Sequence, residues 1–235
     1  MIEKLLIIGG MSYETSTNYY KFINETYNLV NNNINDLELI LYNVNFQKII
    51  KLMEDNNWKE ISNYFELIIN NLNAFKINKI VLASNTIHNV IEYLPKNIEA
   101  KIINITDCII KECKIKKYKN IGYVGTSYLM KADYLDKMFS KNELNLFKLE
   151  KENFEEVDNI IFKDLCQGTV TKHDKDRIIA IIKVMIKEKF LDCVVLGCTE
   201  LGLLEINNDI NIDIIDSAEI HLKYIVNYLK EKKHE

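Results

Sequence analysis

Residues 192–204 read Asp-Cys-Val-Val-Leu-Gly-Cys-Thr-Glu-Leu-Gly-Leu-Leu, an apolar run that stops at a Gly-Cys-Thr-Glu turn and resumes as an apolar helix. An uninterrupted apolar run bounded by a turn marks a strand covered on both faces, as the strands of a parallel sheet are. Cys198 then stands at the carboxyl end of that strand, the edge at which open α/β sheets bind their ligands. Thr199 and Glu200 open the following helix, whose amino terminus is expected to favour the thiolate through its dipole and its N–H groups. A cysteine at a strand end is also common as inert filler, so one corner alone does not establish chemistry.

A second corner repeats the design. Residues 79–88, Lys-Ile-Val-Leu-Ala-Ser-Asn-Thr-Ile-His, form an apolar strand, then Ala83 in the place of Gly197, Ser84 in the place of Cys198, and polar residues opening a helix. Gly10 precedes Ser84 by almost the same interval as Gly125 precedes Cys198. The chain therefore reads as two similar parallel-sheet α/β halves of about four strands each, related by a pseudo-two-fold axis. The first half takes residues 1–98 and a returning helix at 217–235; the second takes 99–216. Carboxyl strand ends of both halves are expected to face a common cleft, with Ser84 and Cys198 on opposite sides of a bound carbon. N–H groups at the Gly9, Asn85, Gly125 and Thr199 turns suit a carboxylate there.

Taken in order, strands are expected at 5–8, 37–44, 79–83, 101–105, 120–124, 144–149, 192–196 and 212–215. Helices are expected at 13–30, through Met53, at 58–75, from Ser84 through Glu92, from a cap at Thr106 or Asp107 to Lys116, and at 128–140, 154–167, 171–189 and 218–232. The Asn-rich residues 31–36 end the first helix. Only seven glycines occur in 235 residues, six of them read at or beside strand-end turns and Gly168 as a helix C-cap.

Composition excludes several classes. A net charge of −4, with Lys scattered among Glu, Asp and Asn, offers no basic face for nucleic acid. No apolar run reaches membrane-spanning length, and Met1 leads straight into the first strand, so a cytoplasmic protein is expected. Five cysteines at irregular spacing read as reduced thiols, and four dispersed histidines give no metal-ligand spacing.

Four ordered segments, Ile-Gly-Gly-Met-Ser-Tyr-Glu-Thr-Ser at 8–16, Ser84-Asn85-Thr86-Ile87-His88, Val124-Gly125-Thr126 and Leu196-Gly197-Cys198-Thr199-Glu200-Leu201, resemble the aspartate/glutamate racemase family. The Gly-Gly-Met-Ser form and the Glu200 to Leu204 continuation are most similar to bacterial racemases specific for L-aspartate and L-glutamate. The resemblance implies a homodimer that needs no cofactor and acts on a small amino acid, removing and returning the α-proton on opposite faces. It makes Cys198 and Ser84 the catalytic pair. Gly10, Met11, Ser12, Met53, Asn85, Thr86, Thr126, Thr199 and Glu200 become the substrate-binding set. The sequence departs from the family at Ser84, where most members carry a second cysteine and the nearest relatives Thr. A hydroxyl is a far weaker acid than a thiol, so unequal rates from the two enantiomers are expected. Arg177, Lys48 and Lys163 are the candidate cations for an acidic side chain, and His88, one turn after Ser84, is placed to orient that corner. Two other readings remain open: a single-cysteine decarboxylase of the same superfamily, and an amino-acid-binding relative without activity.

Overall fold

Four apolar residues, Leu5 to Ile8, are almost wholly shielded from solvent and form the centre of the first sheet. The computed structural model in which they lie describes residues 4–31 and 37–233, so most of the Asn-rich stretch read as the end of the first helix falls outside the described residues. The chain divides into two compact units, Met1–Asn104 with His221–Glu235, and Ile105–Ile220.

The first unit runs β1 (Lys4–Gly9), α1 (Tyr13–Asn31), β2 (Glu38–Asn43), α2 (Phe46–Glu54), α3 (Trp58–Asn71), β3 (Lys79–Leu82), a 3₁₀ segment Thr86–Tyr93 and α4 (Lys96–Glu99). Its parallel sheet has the order β2-β1-β3. Helix α1 buries Tyr19, Ile23 and Tyr27 at four-residue intervals, and α3 buries Trp58, Ile61, Phe65, Ile68 and Ile69. Each Leu, Ile or Phe so covered contributes about 1.5–3 kcal/mol. Asn45 and Asn57 cap α2 and α3 by accepting from the N–H of Lys48 and Glu60 at 3.1 and 3.2 Å.

The second unit runs α5 (Ile105–Lys116), β4 (Asn120–Val124), α6 (Ser127–Lys131), α7 (Asp133–Lys141), β5 (Asn145–Lys148), α8 (Phe154–Asn159), α9 (Lys172–Lys189), β6 (Cys193–Leu196), β7 (Asp213–Asp216) and the start of α10 (Ser217–Lys233). Its parallel sheet has the order β5-β4-β6-β7. Two parallel-sheet α/β units are thus what the sequence pattern implied.

Several elements differ from the sequence reading. Residues 101–105 form no strand: Ile102 makes an isolated parallel bridge to Ile80, leaving three strands in the first sheet. The carbonyl of Ile103, which a continuing ladder would need, accepts instead from His221 Nε2 at 2.8 Å. Thr106 and Asp107 lie inside α5, which already begins at Ile105. The helix read at 128–140 breaks at Ala132, whose carbonyl accepts from Lys148 Nζ at 3.3 Å. The helix read at 154–167 widens into a π-turn over Ile160–Asp164 and tightens into 3₁₀ before Gly168, which ends it at φ 73°. Val157, Ile161 and Leu165 recur every four residues and are all buried; a wider turn cancels the angular drift that this spacing has on an α-helix. Gly122 lies inside β4 and not at a strand end, its missing Cβ leaving room for Leu191.

Gly197 follows β6 directly, and a Cβ there would fall 2.1 Å from Cε1 of Tyr123, a ring fully buried on β4 and packed edge-on against Phe139. The ring has no free direction in which to retreat. Gly197→Ala is therefore expected to destabilise the fold by about 1–3 kcal/mol, read as a lower urea midpoint at unchanged m-value.

Candidate active site

Strands β4 and β6 pair in register, Val124 opposite Leu196, so their carboxyl ends lie side by side. The Gly197 N–H donates to the Val124 carbonyl at 2.6 Å, and a Cβ on Gly125 would meet the Gly197 carbonyl carbon at 3.3 Å. Two glycine turns in contact bring the segments beginning at Thr126 and Cys198 together. Thr126 Oγ1 accepts from the Leu129 N–H at 3.4 Å and caps α6. Cys198 is buried; its thiol donates to Glu200 Oε2 at 2.9 Å, and Thr199 Oγ1 donates to the same oxygen at 2.8 Å.

The expected low thiol pKa is not met. No α-helix begins at this corner, only the four-residue 3₁₀ turn Leu201–Leu204. Burial pushes the Cys198 thiol well above its ordinary value, and the Glu200 carboxylate adds to the shift by repelling a thiolate. Cys166, on the 3₁₀ turn Leu165–Gln167 ahead of α9, is raised to about 12 by burial and then by Glu200. Asp216, at the end of β7, is raised to about 6, chiefly by burial. Its Oδ1 caps α10 by accepting from Ala218 and Glu219 N–H at 2.8 and 3.1 Å, and its Oδ2 occupies the space that a Cβ on Gly202 would need.

In the first unit the corners after β1 and β3 are likewise neighbours, with Ala83 N–H donating to the Ile8 carbonyl at 3.0 Å. Gly10 has φ 86° and packs its bare Cα against the Asn43 side chain, while its N–H donates to Ser16 Oγ at 2.7 Å. Ser12 Oγ accepts from the Thr15 N–H at 3.3 Å. Met11 and Asn85 are buried, and Ser12, Ser84 and Thr86 half-buried. Met53 is buried on α2.

His88 Nδ1 lies 2.8 Å from the Ser84 carbonyl, which can only accept, so this nitrogen carries the hydrogen. Its ring meets that of His221 edge-on at 5.6 Å. Since His221 Nε2 donates to the Ile103 carbonyl, its Nδ1 accepts from the Tyr19 hydroxyl at 3.0 Å. Burial holds both imidazoles neutral, His88 down to about 4 and His221 to about 3, where His88 adds to the shift. The sequence reading placed His88 but not His221 or Tyr19, which meet across 202 residues.

The candidate cations are engaged or exposed. Arg177 forms a fork with Glu156, Nε to Oε1 at 2.5 Å and Nη2 to Oε2 at 2.9 Å. Lys48 Nζ sits 4.2 Å over the Tyr64 ring, and Lys163 is exposed. All five cysteines are free thiols, and no group of three or more His, Cys, Asp or Glu that could hold a metal occurs among the described residues. No helix among them is long and apolar enough to cross a membrane.

The model of the Asp/Glu/Hydantoin racemase family matches residues 8–225. The chain belongs to that family. Among solved structures, it is 25% identical to a Yersinia pestis protein provisionally designated an Asp/Glu racemase, covering 97% of this chain and 99% of that one with a TM-score of 0.86. An aspartate racemase homologue from Pyrococcus horikoshii OT3 is 27% identical over 97% and 99% of the two chains, at TM-score 0.75. The Picrophilus torridus aspartate racemase, 20% identical over 97% and 94%, shares the fold at TM-score 0.73.

The titrating groups of this racemase-family chain oppose one another in stability. His88 and His221 bind protons in the unfolded chain from about pH 6.5 but not in the native one until far lower, so stability falls as pH drops through that window. Asp216 has a raised native pKa and binds a proton first in the fold, so it contributes stability below about pH 6 that is lost as pH rises. Asp216→Asn keeps a capping oxygen and removes the opposing group. Thermal melts are expected to show this variant at least as stable as wild type near pH 7.5, and losing stability more steeply down to pH 5.

Proposed function

We infer that the protein is an amino-acid racemase acting on aspartate, glutamate or a closely related amino acid, with Cys198 as the base for the L-isomer. The observation that supports this most is the Cys198 corner itself. A thiol at the carboxyl end of a buried parallel strand, hydrogen-bonded to a carboxylate, stands within a chain that the family model spans almost from end to end. Removal of an α-proton leaves an electron pair on Cα that delocalises into the substrate carboxylate as an enediolate. Donors at the Gly10, Met11, Ser12, Asn85, Thr86, Thr126 and Thr199 turns are proposed to hold that carboxylate as its charge grows.

Ser84 is proposed as the weaker partner, for the D-isomer. Its carbonyl is fixed by His88, which leaves the hydroxyl to carry or relay a proton, and a hydroxyl is a poor base beside a thiol. Met53, buried on α2, is proposed to border the substrate side chain. With Arg177 committed to Glu156 and Lys48 to Tyr64, the choice between acidic and less polar substrates rests on a panel of L- and D-amino acids.

The presence of one corner thiol also fits a decarboxylase that protonates a carbanion left by loss of carbon dioxide. Carbon dioxide release from a disubstituted malonate, without exchange on amino acids, would select that reading instead.

Deuterium incorporation at Cα, followed by NMR in deuterium oxide, tests the proposal. Wild type is expected to label L-aspartate or L-glutamate, with Cys198→Ala slower by about 10²-fold or more. Equal background rates in the two proteins would remove the racemase reading. Ser84→Cys is expected to raise labelling of the D-isomer by roughly tenfold or more, because a thiol with a free pKa of about 8.5 replaces a hydroxyl.

A further inference from the structure

From the Ser84 carbonyl a line of three wholly buried rings, His88, His221 and Tyr19, runs inward through the first unit. The chemistry proposed above calls on His88 alone. We propose that Tyr19 and His221 are positioning residues for the Ser84 corner: Tyr19 anchors the His221 ring, and His221 seats the His88 ring that holds the Ser84 carbonyl. This rests on the racemase reading, in which Ser84 serves the D-isomer.

Burial keeps both imidazoles neutral near pH 7, so each ring has a single hydrogen to place. His88 carries its hydrogen on Nδ1, 2.8 Å from the Ser84 carbonyl. His221 carries its own on Nε2, 2.8 Å from the Ile103 carbonyl, and its bare Nδ1 accepts from the Tyr19 hydroxyl at 3.0 Å. Flipping the His221 ring about its Cβ–Cγ bond would replace both nitrogens by carbons and break both bonds, so together they fix its rotation. The ring is also flanked: Tyr19 meets it edge-on at 5.7 Å and 66°, His88 at 5.6 Å and 74°. A His221 ring so held leaves His88 one place to stand.

The consequence reaches Ser84 through its backbone. The peptide that follows Ser84 is planar, so a fixed carbonyl fixes the rotation about the Cα–C bond and the bearing of the side chain from the turn. A displacement of about 1 Å at a reacting group can cost about 10²-fold in rate. Cys198 has no share in these bonds, its thiol being held by Glu200, so the two enantiomers are affected unequally.

Tyr19→Phe is the test, since it keeps the ring and removes only the hydroxyl. Deuterium labelling of the D-isomer is expected to slow by about tenfold, with labelling of the L-isomer changed by no more than about twofold. His221→Leu is expected to do the same. His221→Gln, whose amide offers one donor and one acceptor at a separation close to that of the ring nitrogens, is expected to keep the wild-type D-to-L ratio. Loss of folded protein lowers both rates by one factor and leaves their ratio alone, so an unchanged ratio in Tyr19→Phe would overturn the proposal.

A second measurement needs no activity. The Nδ1 hydrogen of His88, followed by NMR in deuterium oxide, is expected to exchange roughly tenfold faster or more in Tyr19→Phe than in wild type. Unchanged exchange would overturn the proposal whatever the labelling. Faster exchange in a protein whose wild type labels neither enantiomer would remove the racemase reading and leave the anchoring of His88 by Tyr19 and His221 standing.

Discussion

Where β4 and β6 end, two backbones run side by side with no side chain between them. Parallel strands lie about 4.8 Å apart, and their turns can diverge or touch once the ladder stops. Here Gly125 and Gly197 make them touch, and Tyr123 fills the space that a Cβ on Gly197 would claim. The positions of Thr126 and Cys198 follow from that contact, because each begins at a backbone already fixed by its neighbour. Glu200 and Asp216 then have little freedom: one reaches back to the sulfur, and the other is wedged between Gly202 and the first turn of α10.

The two strand-end corners resemble each other in sequence yet are anchored in different ways. In the first unit a neutral imidazole grips the main chain, His88 donating to the carbonyl of Ser84 and leaving the hydroxyl on its half-buried side chain. In the second, a carboxylate grips the side chain, and the thiol itself is the group held. Both corners share the strand and the turn, which are backbone features set by apolar runs and small residues. The side chains that tune each corner differ.

The sequence disclosed the parts of the fold governed by short-range pattern. Strands β1, β3, β4 and β6 are apolar runs closed by small or polar residues, and each was expected within a residue or two of where it lies. The expected strand at 101–105 is missing because the Ile103 carbonyl is bonded to an imidazole from the far end of the chain, which no local pattern reveals. For the same reason Tyr19 and His221 gave no signal: each is an ordinary buried aromatic until the other is brought to it. Cys198 was located correctly at its strand end, but its electrostatics were not, since the expected helix dipole is replaced by burial and a carboxylate two residues on. Spacing identifies which residues share a turn; whether a turn is dry is decided by the packing around it.

His221 has a further implication for how the chain matures. It lies just past the point where the polypeptide returns to the first unit, and its imidazole joins α1, the Ser84 corner through His88, and the segment at Ile103. On a ribosome, Tyr19, His88 and Ile103 emerge long before it, and the whole of the other unit is synthesised in between. The hydrogen bonds that His221 makes to Tyr19 and Ile103 therefore form only after the whole of the intervening unit has been made, so that unit can close before they do.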